Sequence, residues 1–278
     1  MEEELLRTEN LSFSYEEGVP ALNQISVAIH KNEKIAVLGA NGAGKSTFFL
    51  NLNGVREPAS GAVYLHGEKI EKKTRNKLRK SVGIVFQDAD SQIIASTVKA
   101  EVAFGPLNLR LPREEVESRT ERAVERMKLQ TLTERPPHYL SGGEKKRVSI
   151  ADILAMESEI IIFDEPTASL DPVNAKMLED ILDELMQEGK TILLSTHDVD
   201  FAYRFADRIL IFWEGWLIAD GDASEIFQNA AVLKKTNLVK PVLLQVFEMM
   251  EREGLTGAVK GYPRTLMDIE KILKERER

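Results

Sequence analysis

Two patterns and a composition predict an α/β fold. Four short continuous runs, Ile35–Leu38, Ile160–Phe163, Thr191–Ser195 and Arg208–Phe212, are separated by segments of helical period, as expected of buried parallel strands joined by helices. The first third instead mixes β-type segments with turn signals: Leu11 to Tyr15, then Ile25, Val27 and Ile29 in alternation, then Ala62 to Leu65 before Gly67. These predict an antiparallel sheet layered onto the parallel core. With 278 residues, 43% hydrophobic and 29% charged, the chain can build one sizeable core plus an appendage, whereas disorder and a disulfide scaffold do not fit.

The 37 Lys and Arg against 45 Asp and Glu give a net charge of -8, which argues against a nucleic-acid partner bound through a general basic surface. Cysteine is absent, so there is no disulfide, thiolate nucleophile or thiolate metal site. The opening Met1-Glu2-Glu3-Glu4 is acidic where a secretory signal is basic and then apolar. No apolar run approaches the roughly 18 residues of a spanning helix, so any membrane role is expected to be peripheral.

From about Ser96 to Met156 the pattern is helical and heavily charged, with Pro112 placed to open a helix whose charged face is solvated. Glu71 to Lys80 carries six basic residues against one acid and reads as solvated surface, with a phosphate or lipid contact as the alternative. From about Asn229 the strand signals stop. Leu243, Phe247 and Met250 share a helical stripe, Gly254, Gly257 and Gly261 break the chain, and Thr265 with Asp268 resembles a capping box before a last helix carrying Leu266, Ile269 and Leu273.

Gly39-Ala40-Asn41-Gly42-Ala43-Gly44-Lys45-Ser46 fits the P-loop pattern and lies between a predicted strand and a predicted helix. Glycines let the backbone wrap closely enough for N–H groups to face phosphate oxygens, and the helix N-terminus adds partial positive charge. Lys45 is expected to reach the β- and γ-phosphates and the Ser46 hydroxyl to ligate Mg²⁺. The complementary carboxylate comes at the end of Glu159-Ile160-Ile161-Ile162-Phe163-Asp164-Glu165. Asp164 is expected to hold Mg²⁺ through water, and Glu165 to polarise an attacking water as general base.

A P-loop with an acidic strand leaves kinases, motors, GTPases and ABC cassettes open. Leu140-Ser141-Gly142-Gly143-Glu144 decides among them, because Ser141 and the N–H groups of Gly142 and Gly143 form a second phosphate cradle at a predicted helix start, 96 residues beyond Lys45. From about Leu5 to Phe227 the sequence therefore resembles the nucleotide-binding subunit of ABC transporters. The resemblance implies a P-loop NTPase fold of the ABC cassette type, with a RecA-like parallel core, an antiparallel β subdomain, an α-helical subdomain at about 88–157, and here a small helical appendage. It places the cassette at 1–228 and the appendage at 229–278.

By the same resemblance Tyr15 stacks on adenine, Thr47 joins the P-loop residues at the nucleotide, and Gln87 touches Mg²⁺ and the attacking water. Ser169-Leu170-Asp171 runs across a dimer interface, and His197 contacts the γ-phosphate. ATP and Mg²⁺ are the implied substrate and cofactor. A second cassette, identical or a paralogue, is the implied partner, with ATP sandwiched between Lys45 of one and Ser141 of the other.

The segment Gly83 to Gln92, followed by Thr97-Val98 and Glu101 to Asn108, is similar to the ATPase of energy-coupling-factor importers and their cobalt/nickel relatives. In these the helical subdomain offers a groove to coupling helices of a membrane subunit; Phe104 and Leu107 fit either that groove or a subdomain core. Asp88-Ala89 stands where Asn-Pro is frequent, and Glu144 where glutamine is commonest. The tail from Asn237 to Pro241 also matches the cobalt/nickel subgroup. The resemblance thus implies an ATPase at the cytoplasmic face of the cell membrane, with integral membrane coupling and substrate-binding subunits, importing cobalt or nickel. A vitamin importer and a soluble ABC ATPase are the alternatives. Four scattered histidines and no cysteine place any metal passenger in the partners rather than in this chain.

Overall fold

The computed structural model describes residues 3–15, 18–168, 170–256 and 261–276; Met1, Glu2, Ser169 and Gly257 lie outside the described residues. Its strands are β1 (Glu4–Ser14), β2 (Pro20–His30), β3 (Lys34–Leu38), β4 (Ser60–Leu65), β5 (Glu68–Lys69), β6 (Val82–Val85), β7 (Ile160–Phe163), β8 (Thr191–Ser195), β9 (Arg208–Trp213) and β10 (Trp216–Asp222). The helices are α1 (Lys45–Leu52), α2 (Asn76–Ser81), α3 (Val98–Asn108), α4 (Arg113–Arg126), α5 (Gly142–Met156), α6 (Pro172–Gln187), α7 (Val199–Phe205), α8 (Ala223–Gln228), α9 (Ala230–Thr236), α10 (Val242–Arg252) and α11 (Leu266–Arg276). None of them is long and apolar enough to cross a membrane. The chain divides into two compact units, Met1–Glu33 with Ser46–Ser195 and Lys34–Lys45 with Thr196–Arg278.

In the first unit a four-stranded antiparallel sheet runs β2-β1-β4-β5. Its register pairs Leu6 with Ile29 and Leu65, and Thr8 with Val27 and Val63, so period-two alternation puts these side chains on one buried face. Thr8 is tolerated there because its Oγ1 accepts the Val27 N–H at 3.0 Å. The strand expected at Leu11 to Tyr15 begins earlier, at Glu4, and ends before Tyr15.

Strands β6, β7 and β8 pair in parallel, Gly83 with Ile161 and Ile161 with Ile192, and all their residues are buried, as uninterrupted apolar runs require. Helix α5 lies close on β6: a Cβ at Gly83 would come within 2.5 Å of Ile153 Cγ2. Helices α3, α4 and α5 pack together, and α3 opens on Thr97, whose Oγ1 accepts the Ala100 N–H. Phe104 and Leu107 are 43% and 59% exposed, which assigns them to the surface rather than to the subdomain core.

In the second unit β3 pairs in parallel with β9, and β9 antiparallel with β10. Strand β10 has no counterpart in the sequence reading, because its half-exposed Trp216–Asp222 neither alternates cleanly nor forms an apolar run. The buried stripe of α10 runs through Leu244, Phe247 and Met250, with Leu243 only half-buried. This corrects the expected stripe by one position, since Leu244, Phe247 and Met250 recur every three residues and stay on one side of the helix. Phe247 and Met250 form a small core with Ile272 of α11, flanked by Ile269. The Thr265–Asp268 capping box forms, but Leu266 and Leu273 face outward, at 78% and 41% exposed. Arg264 ties this segment to α7, donating to Ala206 O and standing 5.4 Å over the Tyr203 ring.

Candidate active site

The P-loop leaves β3 through Gly39, Gly42 and Gly44, with φ of +148°, +78° and +106°. At Gly39 a Cβ would lie 2.3 Å from Phe212 O, so no larger residue fits. Lys45 is buried, and its Nζ donates to Gly39 O at 2.6 Å and Ala40 O at 3.2 Å, drawing the loop around its ammonium. His197 Nε2 lies 2.9 Å from Asn41 Oδ1, so two residues 156 apart in sequence meet at this loop. The next residue, Asp198, caps α7.

Helix α1 begins at Lys45, with the Ser46 side chain exposed at its first turn and Thr47 buried behind it. Thr47 Oγ1 is 3.0 Å from Tyr15 OH. The Tyr15 ring is 54% exposed, edge-on to Phe13, with the Arg56 guanidinium 5.2 Å from its centroid. An exposed aromatic face flanked by a cation is chemically suited to stacking on a planar base.

Asp164 and Glu165 close β7, both buried. Ser195, the last residue of β8, joins them: its Oγ donates to Asp164 Oδ1 at 2.6 Å and accepts the Glu165 N–H at 2.8 Å. Glu165 takes φ +45°, the left-handed region that a non-glycine residue occupies only when its surroundings hold it there. Ser46, Gln87 and Asp164 together offer a hydroxyl, an amide oxygen and a carboxylate, the hard oxygen donors that suit Mg²⁺. The residues present therefore fit that ion.

Gln87 is exposed just beyond β6, and with Gly142, Lys146, Ala168 and Leu170 it lines a cavity of about 280 Å³. Ser141 is the N-cap of α5 and forms a full capping box with Glu144. Bonds from the Ser141 N–H and hydroxyl hold the Glu144 carboxyl below the usual range, so the glutamate standing where glutamine is commonest has a local structural role. A Cβ at Gly143 would come within 3.0 Å of Asn174 Nδ2. Asn174 in turn donates to Asp171, the N-cap of α6.

Sequence reasoning missed Ser195, Lys146, Gln92, Asp152 and Glu101. Only Lys146 left a cue, since it shares a helical stripe with the core residues Ile150 and Ile153. Burial pushes its ammonium down to about 8, against the pull of Asp164 and Asp88. Asp152 is raised to about 7, chiefly by burial and further by Glu101, while the Gln92 hydrogen bond works the other way. The folded protein thus keeps the Asp152 proton up to about pH 7, whereas the unfolded chain releases it near the ordinary 3.8. Stability is therefore expected to fall by roughly 2–4 kcal/mol from this group as pH rises from about 4 to 7. Asp152→Asn should flatten that slope in denaturant melts at pH 5 and pH 8, and an unchanged slope would assign the dependence elsewhere.

The ABC transporter family profile matches residues 22–168. An energy-coupling factor transporter ATP-binding protein EcfA of Methanococcus maripaludis is 44% identical over 93% of this chain and 94% of its own length. A relative from Methanosarcina mazei is 45% identical over 97% of this chain, which spans 60% of that relative's length. Among solved structures, cbiO1 of Clostridium perfringens, part of the ABC transporter complex cbiONQ, is 40% identical, with a TM-score of 0.73 over 90% of this chain and 100% of its own. A dimeric ATP-binding cassette in a post-hydrolysis state bound to ADP and Pi is 28% identical, with a TM-score of 0.71 over 79% of this chain and 99% of its own. The chain belongs to the ABC transporter family, as an ATP-binding ATPase subunit of the energy-coupling-factor type.

Proposed function

We propose that this chain is the motor of a cobalt or nickel importer, working as a head-to-tail pair of cassettes on membrane-embedded partners at the cytoplasmic face of the cell membrane. The observation that carries the ATPase part is the Asp164–Ser195–Glu165 arrangement, which holds one carboxylate beside another whose backbone is set in the left-handed region. The likeness to cbiO1 over that protein's whole length supports the metal ion as passenger. In this reading residues 1–228 are the cassette, with 88–157 as the helical subdomain that meets the membrane partner, and 229–278 are the appendage. The exposed Phe104 and Leu107 support that docking role.

ATP binds with its adenine on Tyr15 and its phosphates on the N–H groups of Gly39, Asn41, Gly42 and Gly44, and Lys45 neutralises the β- and γ-oxygens. Thr47 lies at the same helix start and orients Tyr15. Ser46, Gln87 and Asp164 would hold Mg²⁺, which supplies further charge neutralisation on the phosphates. Glu165 accepts a proton from the water whose oxygen attacks the γ-phosphorus; the bond to the bridging oxygen breaks and ADP leaves. His197 donates to the γ-phosphate. Ser141, Gly142 and Gly143 of the second cassette cap it from the other side, so closure depends on the γ-phosphate and is released when that phosphate departs.

Uptake into vesicles containing the whole complex, purified with its own membrane subunits, tests the passenger. ATP-driven accumulation of Co²⁺ or Ni²⁺ is expected. Vitamin uptake without metal uptake would overturn the passenger and leave the motor role intact, whereas ATP hydrolysis by a chain that copurifies with no membrane protein would favour a soluble ATPase.

A further inference from the structure

We propose that Lys146 and Gln92 are positioning residues that clamp the backbone at Phe86 and Gln87 to α5, so that the helix beginning at Ser141 sets where the Gln87 side chain stands. The sheet ladder ends one residue before Phe86: Val85 O accepts the Asp164 N–H, the last sheet bond on that side of the strand. The peptide groups that follow are taken over by side chains. Phe86 N–H donates to Gln92 Oε1 at 3.1 Å, while Phe86 O and Gln87 O accept from Lys146 Nζ at 2.7 and 3.2 Å. Gln92 Nε2 carries the connection back to α5, donating to Ser149 O at 2.9 Å and Asp152 Oδ2 at 3.1 Å.

These bonds are shielded from water, since Lys146 is only 4% exposed and its Nζ is directed at loop carbonyls rather than at solvent. A buried ammonium donating to two successive carbonyls restricts where the intervening side chain can point. The exposed Lys145–Asp90 ion pair, at 2.6 Å, adds a further tie between the helix and the same segment. Any displacement of α5 at its Ser141 end is thereby carried to Gln87 within one chain, through bonds spanning 57 to 60 positions of sequence. The inference rests on the reading of Gln87 as a residue that touches Mg²⁺ and the attacking water.

The test is steady-state ATPase of the full chain assembled with its membrane subunits, comparing Lys146→Met, Gln87→Ala and the double variant, each with a thermal melt. Lys146→Met is expected to lower kcat roughly 10–100-fold with KM for ATP within about threefold, because a misplaced side chain costs turnover before it costs binding. It should also raise the Mg²⁺ concentration needed for half-maximal rate. The double variant should be no slower than Gln87→Ala alone, since both remove the same placement. Losses that multiply, or a Lys146→Met variant that is folded and turns over normally, overturn the clamp. Wild-type turnover by Gln87→Ala overturns the role of Gln87 instead, and the clamp's catalytic purpose with it. If Lys146→Met does not fold, Gln92→Ala leaves the ammonium in place and carries the same comparison.

Discussion

Glu165→Gln is expected to bind ATP normally, hydrolyse it about 10²–10⁴-fold more slowly, and accumulate as a closed pair of cassettes. Glutamine matches glutamate in shape, so the buried position, the φ of +45° and the backbone bond to Ser195 are retained. What is lost is the basic lone pair that would accept the proton from the attacking water. Binding contacts at Lys45 and the P-loop are untouched, so ATP stays at the site and the γ-phosphate that favours closure is not removed. Single-turnover kinetics would read the slowed step, and light scattering with and without ATP would read the pairing. Undiminished turnover together with an unchanged mass would remove Glu165 from the role of base.

Lys45→Ala is expected to raise the Kd for ATP roughly 10²–10³-fold, equivalent to about 3–4 kcal/mol, and to abolish measurable turnover. The side chain is the buried cation of the P-loop, already held by the carbonyls of Gly39 and Ala40. In the proposed site its removal takes away the side-chain cation that neutralises the β- and γ-oxygens of the triphosphate. The same substitution leaves the buried Gly39 carbonyl without its donor, so the melting temperature is expected to fall as well. Titration calorimetry with ATP separates these effects. An unchanged Kd would show that the loop's N–H groups and helix start suffice.

These outcomes depend on parts of the site that differ in how local they are. The P-loop was legible because its chemistry is contiguous: glycines at set offsets, then a lysine and a serine on a helix start, all within eight residues. Strands β3, β7 and β8 were equally legible, since short wholly apolar runs bounded by glycine, acid or polar residues have few other stable arrangements. Edge strand β10 was not, because a half-exposed strand is only partly patterned by burial. In α10 and α11 the helices were foreseeable and so was the packing of Phe247, Met250 and Ile269, but not that Leu243 stays half-buried and Leu266 and Leu273 exposed, since these are as apolar as the residues that bury.

Sequence by itself determined the family, the phosphate loop, the carboxylate pair and the buried parallel strands, because each is written in neighbouring residues or in a regular period. Tertiary structure alone decided that Ser195 joins Asp164 to Glu165, that Asn41 meets His197, and that Lys146 and Gln92 grip the Gln87 segment. Those contacts bridge 30 to 156 positions of sequence, apart from the local bond of Gln92 to Phe86. A polar side chain carries no record of which distant partner will satisfy it. Only the packing that removes it from water makes that choice.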